Sequence, residues 1–261
     1  MIAAHYINLE RAKERRLFME RQGTRLGMKL QRFAALCGRD VADNRFSRLS
    51  TLWERPLSRV EIALLLSHAS LWDKSVEIQA PLAIFEDDAV LSPRLPAFLD
   101  RDLPDYDLIN LEYYGRRKFF RRYASIGEFS DIARDKAGSA AYVVSPTGAQ
   151  KLLTALDRFA APSDAFLFRS GRLEIAQVEP ALAVQADVLE RMGVDPGIRT
   201  TRQIHQPRAQ PRMRRKNWVY GWRRTVTQLQ LIPLHLGRGT FYELRKPRID
   251  LAEFVSDHSS S

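Results

Sequence analysis

The sequence predicts an α/β fold with a mostly parallel central sheet and a basic, mainly helical C-terminal segment. Three observations lead there. Short apolar runs of strand length alternate with longer amphipathic stretches along most of the chain, the pattern of layered folds whose strands are joined by crossover helices. One such stretch, residues 58–80, carries a full set of helix signals. Shortly after it the apolar run 82–85 ends in Glu86-Asp87-Asp88, and ligands in α/β sheets bind at the carboxyl ends of strands.

Residues 2–9 read as a buried first strand, and 10–25 as a charge-rich helix with Leu17 and Phe18 facing inward. Residues 30–36 form a second short strand, closed by a Gly38-Arg39-Asp40 turn. In 58–80, Ser58 and Glu61 are spaced as a capping box, and Ile62, Leu65, Leu66, Ala69 and Trp72 make one apolar stripe. Pro81 ends the helix. Residues 108–112 read as a strand entered from the Pro104 turn, and the aromatic, basic stretch 113–122 as a loop or hairpin at the rim of a cleft. Residues 140–144 form a strand after Gly138, and Pro146 opens a helix running to about Leu156. Strands at 173–178 and 181–185 complete a body domain over 1–190. A basic aromatic segment follows over 191–255, with a disordered tail over 256–261.

Several classes drop out early. Cys37 is the single cysteine, so no disulfide framework exists. The longest uncharged run, 137–150, falls short of the ~20 apolar residues that a membrane span needs. The first nine residues lack a basic start, a long apolar stretch and a cleavage site, which predicts a cytoplasmic location without a secretory signal. Neither G-x-G-x-x-G nor a P-loop is present, which argues against a dehydrogenase or a P-loop NTPase.

The formal net charge is +10, and twelve basic side chains lie in residues 201–250 against only Glu243 and Asp250. The rest of the chain is balanced. Trp218, Tyr220, Trp222, Leu229, Leu231, Ile232, Leu234 and Leu236 are interleaved with these charges. Two readings stay open: a segment lying on an anionic membrane, each cation adding ~1 kcal/mol, or a basic helical unit packed on the body.

Three adjacent carboxylates after a buried strand are costly unless a cation meets them. In extended backbone Glu86 and Asp88 would share a face and Asp87 the other. Two oxygen ligands on one face suit Mg²⁺ or Mn²⁺ held jointly with phosphate oxygens. A solvated acidic turn is the plain alternative.

Five segments in order resemble glycosyltransferase family 25, the bacterial lipooligosaccharide glycosyltransferases related to the collagen galactosyltransferases. They are Tyr6-Ile7-Asn8-Leu9-Glu10-Arg11 with Glu14-Arg15-Arg16, Leu66-Ser67-His68 with Trp72, and Ile84-Phe85-Glu86-Asp87-Asp88. Then come Gly138-Ser139-Ala140-Ala141-Tyr142-Val143-Val144-Ser145 with Gly148-Ala149, and Pro162-Ser163-Asp164. The likeness spans residues 2–168; residues 191–201 lack the serine-rich segment of many members, so the donor sugar is left open.

The resemblance implies a GT-A-like nucleotide-sugar-binding fold and an inverting hexosyltransferase. It would move galactose from UDP-galactose onto a lipid-linked saccharide in lipopolysaccharide or lipooligosaccharide core biosynthesis, on the inner membrane face. Asp88 and Glu86 would hold Mn²⁺ (or Mg²⁺). Asn8, Arg11, Ser67, His68, Glu86, Asp87, Gly138 and Ser139 would bind the donor, and Asp164 would be the catalytic base. From the residues alone, Arg15 reads as a solvated helix face, His68 as a hydrogen-bonded core residue, Asp164 equally as a helix cap, and His205 as a further candidate metal ligand. The rival classes are a metal-dependent phosphohydrolase or nuclease and a basic nucleic-acid-binding protein. No nucleic-acid recognition motif supports the last.

Overall fold

The computed structural model describes residues 1–135, 137–169, 173–199 and 218–255. His205, the basic residues from Arg202 to Lys216 and the expected tail at 256–261 lie outside them. The chain opens with β1 (Ala3–Asn8), α1 (Lys13–Arg25) and β2 (Leu30–Ala34), a parallel unit that sets Ile7 opposite Phe33. Then α2 (Asp43–Leu49) and the long α3 (Arg59–Ile78) lead into β3 (Leu82–Glu86), parallel to β1. The capping box at the start of α3 is formed: Ser58 Oγ accepts from Glu61 N–H at 3.2 Å, and the Glu61 carboxylate accepts from Ser58 N–H at 2.9 Å.

The middle of the chain supplies β4 (Ala89–Leu91), α4 (Leu95–Leu99), β5 (Leu108–Asn110), β6 (Glu112–Tyr113), β7 (Lys118–Ile126), β8 (Phe129–Arg134) and β9 (Ala141–Val144). After them come α5 (Pro146–Leu156), α6 (Ser163–Arg169), β10 (Ile175–Val178), β11 (Ala183–Gln185) and α7 (Ala186–Arg191). The last described stretch holds α8 (Trp218–Leu229), α9 (Ile232–Leu236) and β12 (Tyr242–Arg245).

Nine strands form one sheet in the order β12-β7-β8-β10-β5-β9-β3-β1-β2, and β4-β11-β6 form a second, smaller sheet. The large sheet is mixed, which corrects the expectation of a mostly parallel one. β9 runs antiparallel to both β3 and β5, and β8 and β12 are antiparallel to their neighbours. The chain reaches β9 at the carboxyl edge, where Ala140 O accepts from Glu86 N–H at 2.9 Å and Gly138 O from Asn110 Nδ2 at 2.9 Å. From there β9 can only run backward. An all-apolar strand carries no record of its direction.

Period-two alternation sorts the core. Leu82 and Ile84 pack with Tyr142, Val144 and the helices α3, α5 and α6 on one face. Ala83 and Phe85 pack with Tyr6, Val143, α1 and α4 on the other. Gly148 lets α5 approach the sheet closely, because a Cβ there would collide with the backbone of Asp107. α1 buries Phe18, Met19 and Gln22. Leu17 is 55% exposed, contrary to expectation, because it sits a helical step of ~100° off that stripe.

The stretch 113–122, expected as a loop or hairpin, holds Tyr113 of β6 and the first half of β7. β7 pairs with β8 across a turn at Gly127 and on its other edge with β12. The C-terminal segment thus contributes a strand to the main sheet as well as helices. α8 sits on the body through polar contacts: Arg223 donates to the carbonyl oxygens of Thr51 and Trp53, and Thr227 is buried. Trp218, Trp222 and Leu229, which share the opposite side of the helix, are 72%, 61% and 53% exposed. No helix among the described residues is long and apolar enough to cross a membrane.

Candidate active site

The site lies along the carboxyl edge of β1, β3 and β5, where β9 enters. Glu86 continues the alternation of Ile84 and so points to the α3 face, where His68 lies. Alternation stops there, because Asp87 and Asp88 form the turn between β3 and β4. The expected pairing of Glu86 with Asp88, and of Asp87 away from both, is therefore replaced. Asp87 and Asp88 both meet Arg15, whose Nη1 is 2.8 Å from Asp87 Oδ1 and 3.1 Å from Asp88 Oδ2. Arg15, read from the sequence as a solvated face, is largely buried in this role.

Asn8, at the end of β1, is buried and fully used. Its Nδ2 donates to Asp87 Oδ2 at 2.8 Å and to Ala12 O at 3.1 Å, while its Oδ1 accepts from Arg32 Nε at 3.0 Å. Arg11 stays exposed nearby, with Nη1 3.4 Å from Cys37 Sγ. Ser67 is buried away from the edge, donating to Ala63 O at 2.8 Å and accepting from Leu36 N–H at 2.9 Å.

His68 is wholly buried and belongs to a relay. Trp72 Nε1–H can only donate, and it lies 2.9 Å from Tyr142 Oη. Tyr142 Oη is 2.8 Å from His68 Nδ1, and His68 Nε2 is 3.6 Å from Glu86 Oε1. A phenol proton given to Nδ1 leaves the imidazole proton on Nε2, facing a carboxylate rather than a lone pair. From the other side Ser139 Oγ donates to Glu86 Oε1 at 2.7 Å, and Ser163 Oγ is 3.1 Å from Ser139 Oγ. This serine pair links the start of α6, and hence Asp164, to Glu86.

Gly138 takes a φ of +105°, and a Cβ there would press on Glu112 Oε2. Glu112 itself is buried, with Oε2 accepting from Ala140 N–H at 2.7 Å. Asp164 Oδ1 accepts from Ala165 N–H at 2.7 Å inside the first turn of α6, so its rival role as an N-cap is not what the structure shows. Glu86, Gly138, Ser139 and Asp164 line one cavity of about 180 Å³ together with Tyr114 and Gln185. Ser67 and His68 do not reach it.

Burial dominates the electrostatics. It raises Asp164 to about 6, against the Ala165 N–H, with the charges of Glu86 and Asp135 adding to it. Burial and then the charge of Glu86 push Asp88 up to about 7, Arg15 opposing. Burial also raises Asp87, although Arg15 and Asn8 pull the other way, and lifts Glu112 well above the carboxylate range. Glu86 is the exception. Burial would raise it, but His68, the Ser139 hydroxyl and Arg15 together hold it below the ordinary value.

Carboxyl groups gathered around one arginine ask for a second cation. Asp88 Oδ1 and Glu112 Oε1 are buried without a hydrogen-bond partner among the described residues. An all-oxygen donor set of this kind fits a hard divalent ion. Among the described residues no three His, Cys, Asp or Glu side chains are grouped as a ready cage, so an ion there would need oxygens from its ligand or from water. Sequence reasoning missed Arg15, Glu112, Tyr142 and Ser163 as parts of the site. Tyr142 and Ser163 stood inside motifs already singled out, and Glu112 ended a strand, the position where such sheets carry function.

Comparison with known proteins agrees in kind. The sequence model of "Glycosyltransferase family 25 (LPS biosynthesis protein)" matches residues 1–167. A "Glycosyltransferase 25 family member" of Aedes aegypti is 30% identical over 168 residues, 57% of this chain but only 27% of the mosquito protein. The chain thus spans about a quarter of the length of that relative. The "Lacto-N-neotetraose biosynthesis glycosyltransferase LgtB" of Neisseria gonorrhoeae is 29% identical over 212 residues, 69% of this chain and 73% of its own. LgtE of the same organism is 28% identical over 207 residues.

Proposed function

Because this chain belongs to glycosyltransferase family 25, we propose that it is an inverting, metal-dependent hexosyltransferase with a GT-A-like catalytic fold. It transfers galactose from UDP-galactose to a lipid-linked oligosaccharide during lipopolysaccharide or lipooligosaccharide core synthesis. The observation that carries this is the convergence of Glu86, Asp87 and Asp88 around Arg15, with the buried Glu112 close enough to feel Glu86 and Asp88, on the carboxyl edge of the sheet. Family membership favours this reading over a phosphohydrolase, a nuclease or a nucleic-acid-binding module.

Asp88 and Glu86 would hold Mn²⁺ or Mg²⁺, whose charge, when bound, neutralises the departing nucleoside diphosphate. Asp164 is the base. Its Oδ1 is held by Ala165 N–H, which leaves Oδ2 to take the proton of the acceptor hydroxyl as that oxygen attacks the anomeric carbon. Burial makes it a stronger base than a free carboxylate while leaving it ionised near neutral pH. Gly138 offers bare backbone beside the donor sugar, and Ser139 holds Glu86 in place. Arg11 stands exposed at the end of β1 for the nucleotide, while Asn8 fixes Asp87. Ser67 and His68 act from behind, the first on the backbone at Leu36 and the second on Glu86.

The outward stripe of Trp218, Trp222 and Leu229 supports an anionic membrane surface as the place of work, with the protein cytoplasmic and peripheral on the inner membrane. Thermal shift with a panel of nucleotide sugars, with and without Mn²⁺, tests the core of the proposal. UDP-galactose well above its dissociation constant should raise the melting temperature by several degrees only when the ion is present. No shift with any nucleotide sugar in either condition would refute it.

A further inference from the structure

Beside the small cavity lies a much larger cleft of about 800 Å³, between the body and the C-terminal segment, and Asp164 lines both. Its walls come from α6, β7 and β8 on one side and from α8, α9 and β12 on the other. Five arginines face it: Arg55, Arg117, Arg134, Arg169 and Arg224. Two are already neutralised. Arg55 makes a double contact with Glu61 at 2.5 and 3.0 Å, and Arg169 pairs with Glu54 at 2.7 Å while lying over the Trp53 ring. Of the three carboxylates in the walls, Glu54 is taken by Arg169, Asp135 lies 2.6 Å from the buried Lys118 ammonium, and Asp164 accepts from Ala165 N–H.

Arg117, Arg134 and Arg224 make no hydrogen bond or ion pair among the described residues. Arg117 and Arg224 are exposed, so this means little for them alone. Arg134 is half-buried. Glu54 and Asp135 act on it only from a distance, and a guanidinium taken partly out of water without a direct partner costs folding free energy that a packed aliphatic side chain would not. Burial and then the charge of Arg169 hold it below the ordinary guanidinium value, although Glu54 and Asp135 oppose them. Trp53, Phe119 and Leu231 provide apolar wall beside it, the mixture expected of a site for an amphipathic ligand rather than a free ion.

We propose that this cleft is the acceptor subsite and that it selects a saccharide carrying a phosphate or carboxylate, gripped by Arg134 with Arg117 and Arg224 at the rim. The assignment rests on the reading of Asp164 as the base, since that residue requires the acceptor hydroxyl to arrive from the cleft side. A planar guanidinium fork matches either anion bidentately, so both belong to the same chemistry.

Calorimetric titration of the whole chain tests it with three probes: methyl glucoside, its 6-phosphate and methyl glucuronide. The wild type should bind an anionic probe at least tenfold more tightly than the neutral one. The stronger of the two anionic probes identifies the anion. In Arg134→Met, which keeps the aliphatic stem, that affinity should fall roughly ten- to a hundredfold, with the melting temperature equal or higher. Arg134→Lys should recover part of the loss, and Arg224→Gln should lose less than Arg134→Met. Equal binding of all three probes by the wild type, or unaltered anion affinity in Arg134→Met, would overturn the assignment. So would loss of UDP-galactose binding in Arg134→Met, which would give the cleft to the donor diphosphate. Failure of the wild type to bind any nucleotide sugar, with anion binding still dependent on Arg134, would instead sink the transferase reading and leave the cleft as an acidic-saccharide site.

Discussion

Asn8 Nδ2 donates to Asp87 Oδ2 at 2.8 Å, so the end of the first strand holds the turn that follows the third. Asn8→Asp would set a carboxylate against Asp87 in place of that donor. The expected cost is about 1–3 kcal/mol in urea unfolding at pH 8. A carboxyl whose folded pKa is raised contributes stability below its unfolded pKa and loses it as pH rises. The deficit should therefore shrink on titration towards pH 4. A pH-independent deficit would mean that packing, not charge, is responsible.

Tyr142 is the middle of the relay from Trp72 to Glu86. Tyr142→Phe removes one hydroxyl and leaves both Trp72 Nε1 and His68 Nδ1 buried without their partner. Stability should drop by about 1–3 kcal/mol. Because the imidazole is then free to change tautomer, kcat should fall more than the donor KM rises. Full activity in a variant so destabilised would show that His68 does not orient Glu86.

Asp164 titrates at about 6 in the folded protein. The folded state then holds a proton that the unfolded chain gives up near pH 4, so this group favours folding at low pH and its contribution is lost as pH rises through about 6. Asp164→Asn removes that dependence, and the variant should gain stability relative to the wild type between pH 4 and pH 7. Transfer by the wild type should rise through the same range, and Asp164→Asn should abolish transfer while donor binding persists. A normally active variant would take Asp164 out of the mechanism.

Trp218 and Trp222 are large apolar side chains mostly in water, Trp222 at the edge of the groove where α8 meets residues 52–54. Replacing both with Ser should leave stability within about 0.5 kcal/mol. Co-sedimentation with vesicles containing anionic phospholipid should fall severalfold, while donor binding is retained. Undiminished sedimentation would remove the stripe from any membrane role.

Much of this was legible in one dimension. The capping box of α3, the apolar run of β3 and the acidic turn at its end are local patterns, and local patterns survive in sequence because neighbouring residues enforce them. The ordered motifs also carried the family, since each marks a strand end or helix start that the fold brings to one edge. The direction of β9 was not legible, because an apolar strand packs equally well either way up. Nor was the strand β12, which depends on an edge that β7 offers from more than a hundred residues away.

The residues themselves determined that a carboxylate-rich turn would follow a buried strand in an α/β protein, with the basic excess at the far end of the chain. Only the tertiary structure decided which cation answers which carboxylate. Arg15 reaches Asp87 and Asp88, the His68 ring faces Glu86, and Arg134 lines the same cleft as Asp164 with no hydrogen bond or ion pair among the described residues. Charge pairing acts over a few ångströms of space, whatever the separation along the chain.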